Sequence, residues 1–226
     1  VKATLAQRLS AEALGSAFLL ATVVGSGVMA QRLAGGDAAL ALLGNTIPTG
    51  AMLAVLILIF GPISGAHMNP AVSAAMTLRG VLGARDLAPF IAAQVFGAVV
   101  GVMAAHAMFD LPLLQIASKA RTGAPQLFAE TVATFGLLLT IFGCSARAPL
   151  AVPYAVGLYI TAAYWFTSST SFANPAVTAA RALSDTFSGI APGGVPAFIA
   201  AQLAGAAAAV AISAWLWPAS HSEPSP

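Results

Sequence analysis

The chain has 226 residues, 59% of them hydrophobic and only 7% charged, with a mean hydropathy of +0.89. Soluble domains carry about 25% charged residues, so this composition cannot cover a water-facing surface and indicates a membrane protein. A net charge of +2 is too small to suggest a nucleic-acid partner, and one cysteine, Cys144, leaves neither an intramolecular disulfide nor a metal-site spacing.

A bilayer-spanning helix needs about 20 apolar residues. Ala13–Gln31 fits one span; as it is about as long as a full span, no cleavable signal peptide is expected. From Ala38 to Leu78 no residue carries a formal charge, counting His67 as neutral. That run is too long for one span and too short for two with a turn. Leu87–Phe109 fits a further span, with His106 near its end. Between Arg121 and Arg147 the only charge is Glu130, which gives another. From Ala148 to Ala180 the uncharged run again exceeds one span. A last span lies within about 195–217, after the break Ala191–Pro196 (APGGVP). The tail Ser220–Pro226 reads as polar and disordered. His67, His106 and His221 are scattered, so neither a metal nor a cofactor is expected.

Both over-long runs end in the same tripeptide, Asn69-Pro70-Ala71 and Asn174-Pro175-Ala176. The economical reading is a full span, a re-entrant loop and a half-length helix. The half helices, near Asn69–Arg79 and Asn174–Leu183, would be roughly 15 Å long at about 1.5 Å per residue, about half of a hydrocarbon core of roughly 30 Å. Irregular backbone at that depth is tolerated only when buried in protein or lining a watery cavity.

An internal repeat supports this organisation. AEALGSAFLL (Ala11–Leu20) resembles AETVATFGLLL (Ala129–Leu139), placing Glu12 and Glu130 118 positions apart. The two NPA tripeptides lie 105 apart, and FIAAQVFG (Phe90–Gly97) and FIAAQLAG (Phe198–Gly205) lie 108 apart. Repeat one covers about 8–109 and repeat two about 126–217, within a single channel-like domain over 1–226. Three spans per repeat invert the second copy in the membrane, an architecture used for transport. Asn is a favoured N-cap and Pro suits the first helical position. With its carbonyl engaged, each Asn amide keeps two N–H donors. Half helices meeting at the midplane would aim these donors and two positive helix ends at one spot. A neutral oxygen-bearing solute could accept there, whereas a cation would meet positive potential.

The segments SGAHMNPAV (Ser64–Val72) and STSFANPAV (Ser169–Val177), with the two Glu and the FIAAQ segments, resemble the aquaporin/aquaglyceroporin (major intrinsic protein) family over about residues 8–217. The resemblance implies an all-α membrane protein with six spans plus two re-entrant half helices, and a pore in each protomer of a homotetramer. It implies a bacterial inner-membrane channel with both termini cytoplasmic. The charges do not fix that orientation: Lys2, Arg8, Arg79, Arg85 and Arg147 on one side face Arg32, Lys119, Arg121 and Arg181 on the other.

Carried over by distance from the NPA asparagines, the family's selectivity filter falls on Thr49, Ala162, Ser171 and Val177. The family's usual aromatic, His and Arg are missing from these positions, so a wide, uncharged ring for neutral hydroxylated solutes is expected. The departure resembles the arsenite-type aquaglyceroporins, which implies passage of arsenous acid and methylated arsenicals; a general water/glycerol facilitator is the alternative. Other residues carry two readings each. Arg181, one turn beyond Val177, would overhang the outer vestibule or pair with Asp185 or loop carbonyls. Glu12 and Glu130 would relay protons in a coupled transporter or, as buried structural groups, accept from the backbone of the re-entrant loops. His67 would be a strut of the cytoplasmic vestibule or a pH gate. Tyr164, Trp165 and Phe166 would form an interfacial belt, with one of them open to touch the pore wall beside Ala162. Cys144 reads as a packing residue. An enzyme is not expected, because no nucleophile, base and orienting group recur together.

Overall fold

The computed structural model describes residues 3–218, and the expected tail over 220–226, with His221, lies outside them. Eight α-helices and no strand occur among the described residues: α1 Leu5–Leu33, α2 Ala38–Ser64, α3 Pro70–Leu78, α4 Ala84–Met108, α5 Ala124–Arg147, α6 Val152–Phe166, α7 Pro175–Arg181 and α8 Val195–Leu216. The order long, long, half, long occurs twice. Among the described residues, α1, α2, α4, α5 and α8 are each long and apolar enough to cross a bilayer. The remaining crossing, α6, has 15 residues, about 22 Å at 1.5 Å per residue. A single 3₁₀ turn at Pro149–Ala151 lengthens it at its start.

The ends follow local chemistry. The Thr4 side chain accepts from Gln7 N while Gln7 Oε1 accepts from Thr4 N, a reciprocal cap on α1. Asp37 Oδ1 accepts from Ala39 N and Leu40 N at the start of α2. Gly65, at φ 91°, ends α2 in a left-handed conformation that suits glycine. Long helices then pair closely through small residues. A Cβ added to Gly97 or Gly101 of α4 would strike the carbonyl oxygen of Ala13 or Ala17 on α1, and one added to Gly205 of α8 would strike that of Thr131 on α5.

Polar contacts mark the two faces. The Arg8–Asp86 ion pair (2.8 Å) and the bond from Arg79 Nη2 to Trp217 O (3.3 Å) lie on the face where α1 starts and α8 ends, the chain-end face of the described residues. The opposite face is closed by loops: Arg32 Nη2 donates to Phe109 O (2.9 Å), and Ala117 N to Ala182 O (3.0 Å). Buried His106 ties the same loops, with Nδ1 on Leu113 O and Nε2 on Ser184 Oγ, both at 2.9 Å. A carbonyl only accepts, so Nδ1 donates to Leu113 O. Between the faces, α3 and α7 start near the middle and run to opposite sides.

Candidate functional site

The two re-entrant loops are built alike. Asn69 and Asn174 share φ −158°, with ψ 117° and 113°, and cap α3 and α7 with proline at the first helical position. Asn69 Oδ1 accepts from Ala71 N (2.9 Å), and Asn174 Oδ1 from Ala176 N (3.0 Å) and Val177 N (3.3 Å). The amides then cross: Asn69 Nδ2 donates to Ala173 O and Asn174 Nδ2 to Met68 O, both at 2.8 Å. Each amide group has two N–H bonds, so one per Asn remains for the lumen, not the two expected from sequence. The other staples the half helices together.

The carbonyls that receive these bonds belong to residues in left-handed backbone, Met68 at φ 47° and Ala173 at φ 48°; Ala66 and Ser171, both at φ 49°, repeat the pattern two residues earlier. Each such non-glycine residue costs roughly 1–2 kcal/mol. Two fully buried carboxylates hold them in place. Glu12 accepts from Ser64 Oγ (2.6 Å), His67 N (2.9 Å), Met68 N (2.6 Å) and Gln94 Nε2 (2.7 Å). Glu130 accepts from Phe172 N (2.8 Å), Ala173 N (2.9 Å) and Gln202 Nε2 (2.6 Å). The two glutamines of the FIAAQ segments bridge onward, Gln94 to Ser73 Oγ (2.9 Å) and Gln202 to Thr178 Oγ1 (2.8 Å). Neither glutamate lines the lumen, so neither meets a passing solute.

That lumen has a volume of about 90 Å³ and passes both NPA segments through Asn69 and Asn174. Its walls are stripes at four-residue spacing, Thr49, Leu53 and Ile57 on α2 and Val152, Val156, Ile160 and Tyr164 on α6, as expected for one helix face. His67 lines it toward the chain-end face, its Nδ1 3.0 Å from Ser73 Oγ. Of the four carried-over filter positions, Thr49, Ser171 and Val177 line the lumen and Ala162 does not. Ala162 is exposed on the outside of α6. It stands two residues from both Ile160 and Tyr164, about 200° around a helix that turns 100° per residue. Tyr164, 3% exposed, takes the wall position instead, while Trp165 and Phe166 face outward.

Arg181 also lines the lumen and is 2% exposed. Its Nε donates to Ser188 O, and its guanidinium carbon lies 3.4 Å from the centre of the Phe172 ring. Arg121, which the sequence reading passed over, reaches the same ring at 4.8 Å and donates to Gly189 O (2.9 Å) and Ser169 O (3.1 Å). Asp185 does not pair with Arg181; it accepts from Ser118 N (2.9 Å) and Ser118 Oγ (2.8 Å), which lower its pKa. An aromatic and an arginine thus line the same lumen as Thr49, Ser171 and Val177. Both kinds of side chain reach the wall, from positions 164 and 181. In the adjoining loop, Lys119 is pushed down to about 8, first by burial and then by the charges of Arg121 and Arg181.

Comparisons with known proteins bear on the family and the fold. A family model described as Major intrinsic protein matches residues 1–149. The chain is 56% identical over 212 residues to aquaglyceroporin AqpS of Rhizobium meliloti, covering 94% of this chain and 91% of that one. It is 30% identical over 243 residues to the probable aquaporin AqpM of Archaeoglobus fulgidus, covering 95% and 96%. The X-ray structure of the aquaglyceroporin from Plasmodium falciparum superposes with a TM-score of 0.68 at 20% identity, over 94% of this chain and 95% of that one; at that identity the likeness concerns the fold.

Proposed function

Because the chain belongs to the major intrinsic protein family, a family of membrane channels rather than enzymes, we propose that its pore carries small neutral hydroxylated solutes, arsenous acid among them. The observation that supports this most is the crossed asparagine pair. It leaves one amide N–H per Asn at the centre of a lumen whose other walls are largely apolar and, among the described residues, hold no carboxylate. A neutral solute gives up water there and accepts from the two amides. A cation finds no counter-charge.

Thr49, Ser171 and Val177 form the small-residue part of the filter in this reading. Val177 adds bulk without charge, which suits a compact triol such as As(OH)₃. We assign Glu12 and Glu130 to loop support and His67 to a strut beside the chain-end mouth. The protein sits as a homotetramer in a bacterial inner membrane with cytoplasmic termini, as the family resemblance implies. Stopped-flow light scattering on proteoliposomes tests the reading with water, glycerol, urea and arsenous acid. Arsenous acid and glycerol should enter well above the rate of protein-free vesicles. Arsenous acid entering at the protein-free rate while water flows would reduce the protein to a water facilitator.

A further inference from the structure

Arg181 is a buried guanidinium with no salt-bridge partner among the described residues. No carboxylate contacts it among the described residues, and its neighbour over the Phe172 ring is another guanidinium, Arg121. Arg121 is spoken for, by Gly189 O, Ser169 O and Thr170 Oγ1 (3.4 Å). Arg181 is not: only Nε finds a protein acceptor, Ser188 O. Of the five guanidinium donors, four on the terminal nitrogens have no partner among the described residues. Two further lumen residues share this condition. Ser171 Oγ is buried without a hydrogen-bond partner. The Tyr164 hydroxyl, on a wall residue 3% exposed, has none either among the described residues.

We infer that Arg181, Ser171 and Tyr164 form a solute-recognition site on the lumen wall one helical turn beyond Val177, selective for neutral solutes with two or more hydroxyls and closed to cations. This deepens the channel reading and rests on it. The chemistry follows from the groups. The terminal N–H bonds form a planar fork that matches paired oxygens. The Ser and Tyr hydroxyls accept the protons that such oxygens carry. A triol satisfies both sets at once, whereas a solute with a carbonyl and no hydroxyl serves only the fork. No carboxylate among the described residues pairs with the charge of Arg181, whose one protein partner there is a backbone carbonyl. The loop bearing that carbonyl is itself pinned, with Ser188 Oγ on Val23 O (3.0 Å). A fixed unit charge within about 5 Å of a passing cation, at an effective dielectric near 20, slows its entry on the order of 100-fold.

Proteoliposomes carrying wild type, Arg181→Gln, Arg181→Lys and the double variant Tyr164→Phe/Ser171→Ala separate charge from fork. Glycerol and boric acid permeability are normalised to water flux, and proton and potassium leak are read with dyes. Arg181→Gln should raise cation leak on the order of 100-fold. Arg181→Lys should keep cations out yet lose several-fold in the polyol-to-water ratio. The double variant should lose the ratio with cation exclusion intact, and it keeps the packing of both side chains should Arg181→Gln not fold. Unchanged leak in Arg181→Gln, or unchanged ratios in the Lys and double variants, overturns the inference. A wild type that carries no neutral solute sinks the channel reading instead.

Discussion

Glu130→Gln preserves the size of the side chain and removes its charge. The carboxylate takes three donors, Phe172 N on Oε1, and Ala173 N and Gln202 Nε2 on Oε2. Glutamine has one acceptor oxygen, so if that oxygen takes the Oε2 place, two donors keep a partner and the Phe172 N–H faces an NH₂. An orphaned buried donor costs about 1–3 kcal/mol, and each of two bonds loses about 1 kcal/mol when its acceptor is neutral. The carboxylate's own burial cost is relieved, leaving a net loss of about 2–4 kcal/mol. The loss falls on the loop over 167–174, whose left-handed residues depend on this anchor. Since each 1.36 kcal/mol is tenfold, the Phe172 and Ala173 amides should exchange about 30- to 1000-fold faster. Hydrogen exchange read by mass spectrometry on protein in nanodiscs checks this, with the loop over 65–69 as internal control. Unchanged protection over 167–174 would show that the carboxylate is not the anchor.

Further outcomes follow from other contacts. Glu12→Gln should open the loop over 65–69 and leave 167–174 protected, since its four donors all serve the first repeat or its glutamine; exchange over the two loops checks it. Gly97→Val should lower the thermal midpoint sharply in detergent, because its side chain meets the Ala13 carbonyl, whereas Gly193→Ala, with open space around it, should not. Lys119 has a folded pKa of about 8 against 10.5 for the free group, so the unfolded chain binds more protons in that window and stability contributed there rises with pH. Lys119→Met should therefore gain most over wild type below pH 8, and the gain should shrink toward pH 10.5; a pH-independent difference in melting would contradict the charge crowding. Val177→Arg should slow arsenous acid and spare water in stopped-flow, and equal arsenous acid flux before and after the change removes Val177 from the constriction.

What was legible in the sequence was what local chemistry repeats. Asn69 and Asn174 announced themselves as caps followed by proline, in two uncharged runs of the wrong length for whole spans. Glu12 and Glu130 were visible as single carboxylates at matching depth. The filter was harder. Counting back from Asn174 fixes a distance along the chain, not the face of α6 on which a residue falls. Two residues along a helix turn a side chain by about 200°, and Tyr164 rather than Ala162 lines the lumen. The stripe of Val152, Val156 and Ile160 at four-residue spacing, extended to 164, was the available signal. Arg181 was reachable because it shares a helix face with Val177. Arg121 was not, since its placement depends on the loop before α5 folding onto the loop after α7, and nothing in its local sequence encodes that contact.

The central claim is that this pore conducts passively. Initial solute influx into proteoliposomes, measured against the concentration gradient with and without an imposed pH difference, tests it most directly. Glycerol and arsenous acid influx should rise linearly with the gradient and ignore the pH difference. Influx that saturates at low concentration, or proton movement coupled to the solute and lost in Glu130→Gln, would contradict the account and make the molecule a coupled transporter.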